Sequence, residues 1–139
     1  MTELLELRAV VEAAPDAVAD VLLDVRPGGR SPIVTSGEID ADQGDGFVVV
    51  RGGSRLTVTV DRAGRSVAQQ GEWWYRSETS VEPDPRGSRV VHRIFNVAPG
   101  HGWTVRFVSR GPLAAAPGQF AAAVRELAAA LGVAGYVVD

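Results

Sequence analysis

The segment 117–132, PGQFAAAVRELAAALG, constrains the fold most strongly, because it is the clearest amphipathic helix in the sequence. Its apolar residues recur at helical spacing and its polar residues fall on the other side: Phe120, Val124, Leu127 and Leu131, with Ala123 and Ala130 beside them, against Gln119, Arg125 and Glu126. Pro117 suits the start of such a helix and Gly132 its end. This helix needs an apolar surface to cover, and the preceding chain predicts one made of short strands.

Composition excludes several classes of partner. The chain has 139 residues, a net charge of -3 and a pI near 5.4, which argues against binding a phosphate backbone. It contains no apolar run of the roughly 20 residues that a membrane span requires. Its N-terminus carries Glu3 and Glu6, where a secretory signal would be basic. We therefore expect residues 1–139 to form a single domain in the cytoplasm, with no nucleic-acid partner.

Missing residue types exclude several chemistries. There is no cysteine, and all 14 basic residues are arginine, so thiolate chemistry, disulfides, cysteine-zinc sites and side-chain Schiff bases are ruled out. With only His92 and His101, a multi-histidine metal centre is also excluded. We expect no metal and no cofactor. The bias towards Ala, Gly, Val and Arg without Lys is typical of a high-GC bacterial source.

Alternating apolar residues and turn signals predict a run of strands after one short helix. A first strand ends near Val11, and a helix runs from Pro15 to about Val25. The next predicted strand, Pro32–Asp40, turns Ile33, Thr35, Gly37 and Ile39 inward. The later predicted strands are 46–51, 55–61, 65–71, 72–83 and 88–98, with a Gly52-Gly53 turn and an Asp84–Gly87 turn. Asp40–Asp45 departs from a calcium loop and is interpreted as a turn.

The chain from Pro99 onwards is less regular. Pro99–Gly102 is a loop, Trp103–Arg110 is either a strand or a helical turn, and Gly111-Pro112 breaks it. After the long helix, an apolar tail, Val133–Asp139, either lies back on the body or frays.

The last hairpin has a register that the sequence specifies. If Pro83 faces Ser88, Glu82 lies opposite Arg89 and Glu78 opposite Arg93 on one face, and such pairs contribute about 0.2–1 kcal/mol each. The other face then pairs uncharged residues: Trp73 with Ala98, Tyr75 with Asn96, Ser77 with Ile94, Thr79 with His92, and Val81 with Val90. We expect this face to meet the long helix. Its buried polar groups must bond to one another, to water or to a ligand.

This order of elements resembles the START-related helix-grip superfamily (SRPBCC), which includes polyketide cyclases and lipid-transport proteins. The resemblance rests on Ala14–Val18 after the first strand, on the turn within Pro83–Val90, and on the stripe of the helix Phe120–Leu131. It implies an α+β helix-grip fold: a curved antiparallel sheet of about seven strands around a long C-terminal helix, with one short N-terminal helix. Similar proteins hold an apolar small molecule between the sheet and that helix. The usual second short helix has only Pro27–Pro32 to occupy, and the tryptophan-rich segment of the chaperone activators is absent.

Six residues are candidate ligand contacts: Trp73, Tyr75, Thr79, His92, Asn96 and Phe120. His92 is the candidate catalytic group, and its structural alternative is a bond to Thr79. Tyr75 and Asn96 either bind a ligand oxygen or satisfy each other. His101 is expected in solvent, and the direction of Arg106, which would reach the cavity mouth if it points inward, stays open. An outer apolar patch is either a dimer contact or ordinary surface, and it consists of Trp74, Phe95 and Val97.

Two hypotheses follow, and the sequence leaves open whether any reaction is catalysed. The preferred one is a non-catalytic protein that binds a hydrophobic or aromatic small molecule. The alternative is a polyketide-type cyclase, aromatase or dehydratase, in which His92 acts as acid or base while Tyr75 and Asn96 polarise a carbonyl. A weaker alternative is a protein-interaction module that uses the outer patch.

Overall fold

The computed structural model describes residues 1–33, 37–99 and 104–139. Predictions for Thr35 and His101 lie outside the described residues. The helices and strands are, in chain order, β1 (Thr2–Val11), α1 (Pro15–Leu22), β2 (Glu38–Asp42), β3 (Gly46–Arg51), β4 (Ser54–Asp61), β5 (Ser66–Gln70), β6 (Tyr75–Asp84), β7 (Gly87–Asn96), α2 (Val105–Val108), α3 (Arg110–Leu131) and β8 (Gly135–Val138).

The strands form one curved, unclosed antiparallel sheet in the order β2-β3-β4-β5-β6-β7-β1-β8. The predicted α+β fold with a long C-terminal helix is confirmed. Within the described residues the sheet has eight strands rather than about seven, because the tail pairs with β1 as β8, joining Val11 to Gly135 and Arg8 to Val138. Of the two alternatives for the tail, it therefore lies back on the body.

The first helix forms where the sequence predicts it. Pro15 is at its N-terminus, and its apolar side, including Val18 and Leu22, is buried. The helix ends three residues earlier than expected, yet Val25 is still buried in the core.

The hairpin between β3 and β4 has the predicted two-residue turn. Gly52 and Gly53 have φ values of 56° and 81°, and two positive φ angles in succession are typical of the type I′ turn that suits the twist of a hairpin. Phe47, Val58 and Val60 point into the core from this hairpin.

The predicted strand Pro32–Asp40 was wrong in position and in the burial of Ile39, although Ile33 does pack against the core. The observed β2 begins at Glu38, and Ile39 is 39% exposed. In the described part of the chain this strand lies at the sheet edge beside β3, and all five of its residues are exposed. Asp42, which we assigned to a turn, belongs to this strand and accepts a bidentate contact from Arg26 at 2.7 and 2.9 Å.

The register of β6 and β7 is confirmed from Tyr75 opposite Asn96 to Pro83 opposite Ser88. The predicted cross-strand ion pairs do not form. Arg93 bonds instead to Glu6 at 2.8 Å, because β1 lies on the far side of β7, and Arg89 bonds to Asp84 at 3.1 Å.

The long helix begins at Arg110, seven residues before the predicted start. Gly111-Pro112 does not interrupt the helix, because the backbone nitrogen of a residue in the first helical turn has no hydrogen bond to make within the helix. Pro117 lies inside α3. The C-terminal end is confirmed: Gly132 follows Leu131 with a φ of 66°, in the left-handed region that favours glycine. The helical-turn alternative for the preceding segment is the correct one, as α2 shows.

The two adjacent tryptophans are placed the opposite way from our prediction. Trp74 is 8% exposed and packs in a small core cluster with Ile94 and Val105, whereas Trp73 is 48% exposed. The reason is that β6 begins only at Tyr75, so the alternation of the strand does not extend back to the tryptophans. The expected outer patch thereby loses its largest member.

No helix in the described segments is both long enough and apolar enough to cross a membrane.

Candidate functional site

A pocket of about 570 Å³ lies between α3 and the inner face of the sheet. Residues of β5, β6 and β7 form one wall, α3 forms the other, and the segment before β2 contributes two residues. The lining residues are Pro32, Ile33, Gln69, Tyr75, Ser77, His92, Ile94, Pro112, Ala116, Gln119, Phe120, Ala122, Ala123 and Glu126.

The pocket exists because one stripe of α3 carries small or polar side chains. Pro112, Ala116, Gln119, Ala123 and Glu126 recur at spacings of four and three residues, so they lie along one side of the helix. The short side chains of Pro112, Ala116 and Ala123 leave space between this side of the helix and the sheet. The adjacent stripe of large residues fills the core instead, and it consists of Phe120, Val124 and Leu127.

This stripe corrects the sequence analysis. Gln119 and Glu126 were assigned to the side of the helix away from the sheet, but both line the pocket. Of the two alanines placed beside the core stripe, Ala123 lines the pocket and Ala130 is exposed. The seven-residue repeats of Ala116 with Ala123 and of Gln119 with Glu126 were the signal that sequence reasoning missed.

His92 is one of the polar residues that line the pocket on the side of the sheet. Its Nδ1 lies 2.7 Å from Oγ1 of Thr79 on the neighbouring strand, and its ring stacks on Phe120 with a centroid distance of 5.8 Å and an interplanar angle of 22°. These two contacts hold the ring in one orientation. Within the described part of the chain, its Nε2 has no hydrogen-bond partner, so it is the ring nitrogen available to a ligand.

Burial lowers the pKa of His92 to about 4 from its usual value near 6.5, because removal from water disfavours the charged form. The imidazole is therefore neutral at pH 7. It offers one hydrogen-bonding group to the pocket and no positive charge.

The other predicted contacts divide into two groups. Tyr75 and Phe120 line the pocket with His92, and Tyr75 also packs edge-on against Trp74 at 5.5 Å. Asn96 does not line it, because its Oδ1 accepts a hydrogen bond from the backbone N–H of Ala98 at 2.9 Å. Thr79 is not a lining residue but bonds to His92, and Trp73 is exposed and does not line the pocket either.

Polar groups at the mouth differ from those at the back. Glu126 is the only charged side chain among the lining residues that the structure describes. Gln69 donates its Nε2 hydrogen to the backbone oxygen of Ile33 at 3.3 Å, which leaves its own oxygen free to accept.

No group of three or more His, Asp or Glu side chains within residues 1–33, 37–99 and 104–139 is arranged to hold a metal ion.

No family model and no curated protein matches the sequence. Solved structures do match over most of the chain. The crystal structure of Ara h 8.0201 covers 90% of this chain and 94% of its own, with a TM-score of 0.50 and 14% identity. TTHA0849 from Thermus thermophilus covers 89% and 94%, with a TM-score of 0.49 and 19% identity. The protein XoxI from Bacillus cereus covers 94% and 95%, with a TM-score of 0.49 and 12% identity. At this identity the match to Ara h 8.0201 shows the fold alone, a curved antiparallel sheet with a long C-terminal helix, which is the helix-grip fold.

Proposed function

We propose that this protein binds an apolar or aromatic small molecule in the pocket between α3 and the sheet. The observation that carries the proposal is the stripe of small and polar residues on α3, beside which a pocket of about 570 Å³ lies next to the packed core. Small-molecule sites in proteins have volumes of about 300–1,000 Å³.

The chemistry of the lining supports an apolar ligand with a few polar atoms. Ile94, Phe120 and Ala116 provide apolar surface from both walls. Tyr75, Ser77 and His92 place hydrogen-bonding groups among them, which would orient a ligand without requiring it to be charged. The apolar area removes the ligand from water, and the polar atoms select among apolar molecules.

The catalytic alternative has less support. It requires His92, Tyr75 and Asn96 to act on one substrate, but the Asn96 oxygen is already bonded outside the pocket. An imidazole whose pKa is lowered to about 4 holds almost no proton at pH 7, so it is a poor general acid there. Within the described residues, no carboxylate orients the ring, since its Nδ1 partner is the Thr79 hydroxyl.

The interaction-module alternative also loses support, because Trp74 is buried in the core. A dimer, a cytoplasmic location and a bacterial source stay predictions of the sequence.

Filling the pocket tests the proposal. Ala123→Trp would place an indole in the space beside the sheet, and the matched control is Ala114→Trp, nine residues earlier on the opposite, exposed side of α3. The probe is 1-aminoanthracene, which is uncharged at neutral pH and fluoresces more strongly in apolar surroundings. We expect the unmodified protein and Ala114→Trp to bind it, and Ala123→Trp to lose at least about tenfold in affinity.

Circular dichroism and urea unfolding would establish that both variants fold. Absence of probe binding by the unmodified protein, or equal binding by the two folded variants, would contradict the proposal.

A further inference from the structure

Among the described lining residues, the pocket carries negative charge but no positive charge. The carboxylate of Glu126 lies at the mouth, and no arginine is among the described lining residues. All fourteen arginines are in the described part of the chain, and none lies within 4.0 Å of the Glu126 carboxylate. Its helical neighbour Arg125 projects about 100° away and does not line the pocket.

Most other arginines are already engaged by carboxylates. Arg76, on the same strand as Tyr75, bonds to Glu78 at 3.2 Å and to Gln70 at 2.8 Å, so it is held away from the pocket. The neutral imidazole of His92 adds no positive charge at the back. A bound anion would therefore find no cation among the described lining residues, and it would lie near the negative charge of Glu126.

We propose that the ligand is an apolar molecule bearing a cationic amine, and that Glu126 selects it over an anionic molecule of the same size. This inference rests on the proposed function. The apolar part lies against Phe120 and Ile94, while the amine is at the mouth, where it stays partly hydrated and contacts the carboxylate. The Gln69 oxygen adds a second acceptor for its N–H groups.

The effect has a modest size because Glu126 is exposed. An ion pair in such a position contributes about 0.2–1 kcal/mol, which corresponds to at most about fivefold in affinity. Repulsion of a carboxylate acts in the opposite direction by a similar amount, so at the middle of this range the affinities of the two ligands should differ by about sevenfold.

Three ligands with the same alkyl chain test the inference: decylamine, decanol and decanoate. Each displaces bound 1-aminoanthracene at pH 7 and low ionic strength, below its micelle concentration. We expect affinity to fall in that order, with decylamine about fivefold or more tighter than decanoate. In Glu126→Gln the ratio should fall to about twofold or less. Glu12→Gln changes the net charge equally but lies outside the pocket, and it should leave the ratio unchanged.

Each outcome separates the two proposals. If the ligands bind but decanoate equals or exceeds decylamine, or if Glu126→Gln and Glu12→Gln have the same effect, selection by Glu126 is wrong and the proposed function stands. If neither the probe nor any of the three ligands binds, the proposed function itself is overturned.

Discussion

Thr79 and His92 face each other across β6 and β7, and Oγ1 of Thr79 lies 2.7 Å from Nδ1 of His92. This bond satisfies one ring nitrogen where the strands are buried, and it positions the ring against Phe120. One polar pair therefore links the sheet, the helix and the pocket. Its consequences for stability can be measured without knowing the ligand.

Removing the Thr79 hydroxyl should destabilise the fold. Thr79→Val keeps the shape of the side chain, which is 2% exposed, but leaves Nδ1 of His92 without a partner. An unpaired buried polar atom costs about 1–3 kcal/mol, and we expect a loss of that size in urea unfolding. Thr59→Val on the exposed side of β4 is the control and should change stability by less than about 0.5 kcal/mol. Equal effects of the two substitutions would show that the bond contributes nothing.

Stability should fall as the pH is lowered from about 6.5 to about 4. The folded pKa of His92 is about 4 and its usual value is 6.5, so between these values the unfolded chain binds the proton and the folded chain does not. Above pH 6.5 the titration of His92 no longer affects the free energy of unfolding, which is highest there. It decreases by about 1.4 kcal/mol per pH unit through the window and levels off below pH 4, for a total of about 3 kcal/mol.

Unfolding free energies measured at intervals from pH 7.5 to 4 would check this slope. His92→Gln cannot titrate and should flatten the curve across that window. The carboxyls of Asp42 and Asp84, whose pKa values hydrogen bonds from arginines lower to about 2, affect stability mainly below about pH 4. A curve for His92→Gln as steep as that of the unmodified protein would assign the dependence to other groups.

The turn between β6 and β7 requires glycine at position 87. Gly87 has a φ of 132°, and a Cβ added there would lie 2.8 Å from the backbone nitrogen of Ala13 and from the oxygen of Val11. Both contacts are backbone atoms, which cannot move aside as a flexible side chain would. We expect Gly87→Ala to destabilise the protein by about 1–3 kcal/mol in thermal or urea unfolding.

Gly118→Ala is the matched opposite of that substitution. Gly118 lies inside α3 with no atom within 4 Å of an added Cβ. Alanine favours the helix by about 0.5–1 kcal/mol over glycine, so this variant should be more stable than the unmodified protein. Destabilisation by both substitutions to a similar extent would contradict the steric explanation for Gly87.

Phe120 should affect both stability and binding, because it belongs to the core cluster and to the pocket wall. Phe120→Ala removes the ring stacked on His92, and we expect a loss of about 3–5 kcal/mol together with weaker uptake of 1-aminoanthracene. Leu127→Ala, in the same stripe but not among the described pocket-lining residues and 1% exposed, should destabilise by about 2–5 kcal/mol but leave probe affinity unchanged where the variant is folded. Equal loss of probe affinity in both variants would place Phe120 outside the ligand contact.

Much of the architecture follows from local patterns. The turn chemistry of Asp84–Gly87 and the alternation on either side of it are enough to determine the register of β6 and β7, because a slip would break the pairing over ten residues. The same pattern predicts that Tyr75, Thr79 and His92 share one face. Gly132 marks the end of α3 because a left-handed residue there favours glycine.

Other features depend on contacts between residues far apart in the sequence. Arg93 turns to β1 rather than to β6, and the tail becomes a strand only because β1 offers it a free edge. Trp74 is buried and Trp73 is exposed, the reverse of the prediction, because β6 starts after them. None of these choices is visible in a window of ten or twenty residues.

The sequence by itself therefore determined most of the helices and strands, the register of the last hairpin and much of the composition of the inner face, since turn and periodicity signals act between near neighbours. Only the tertiary structure decided which stripe of α3 meets the sheet. An amphipathic helix with a broad apolar side can rotate by tens of degrees, and packing of Phe120, Val124 and Leu127 selects one rotation. That rotation places Ala123 and Glu126 at the pocket, where the small side chains of α3 leave a space between the helix and the sheet.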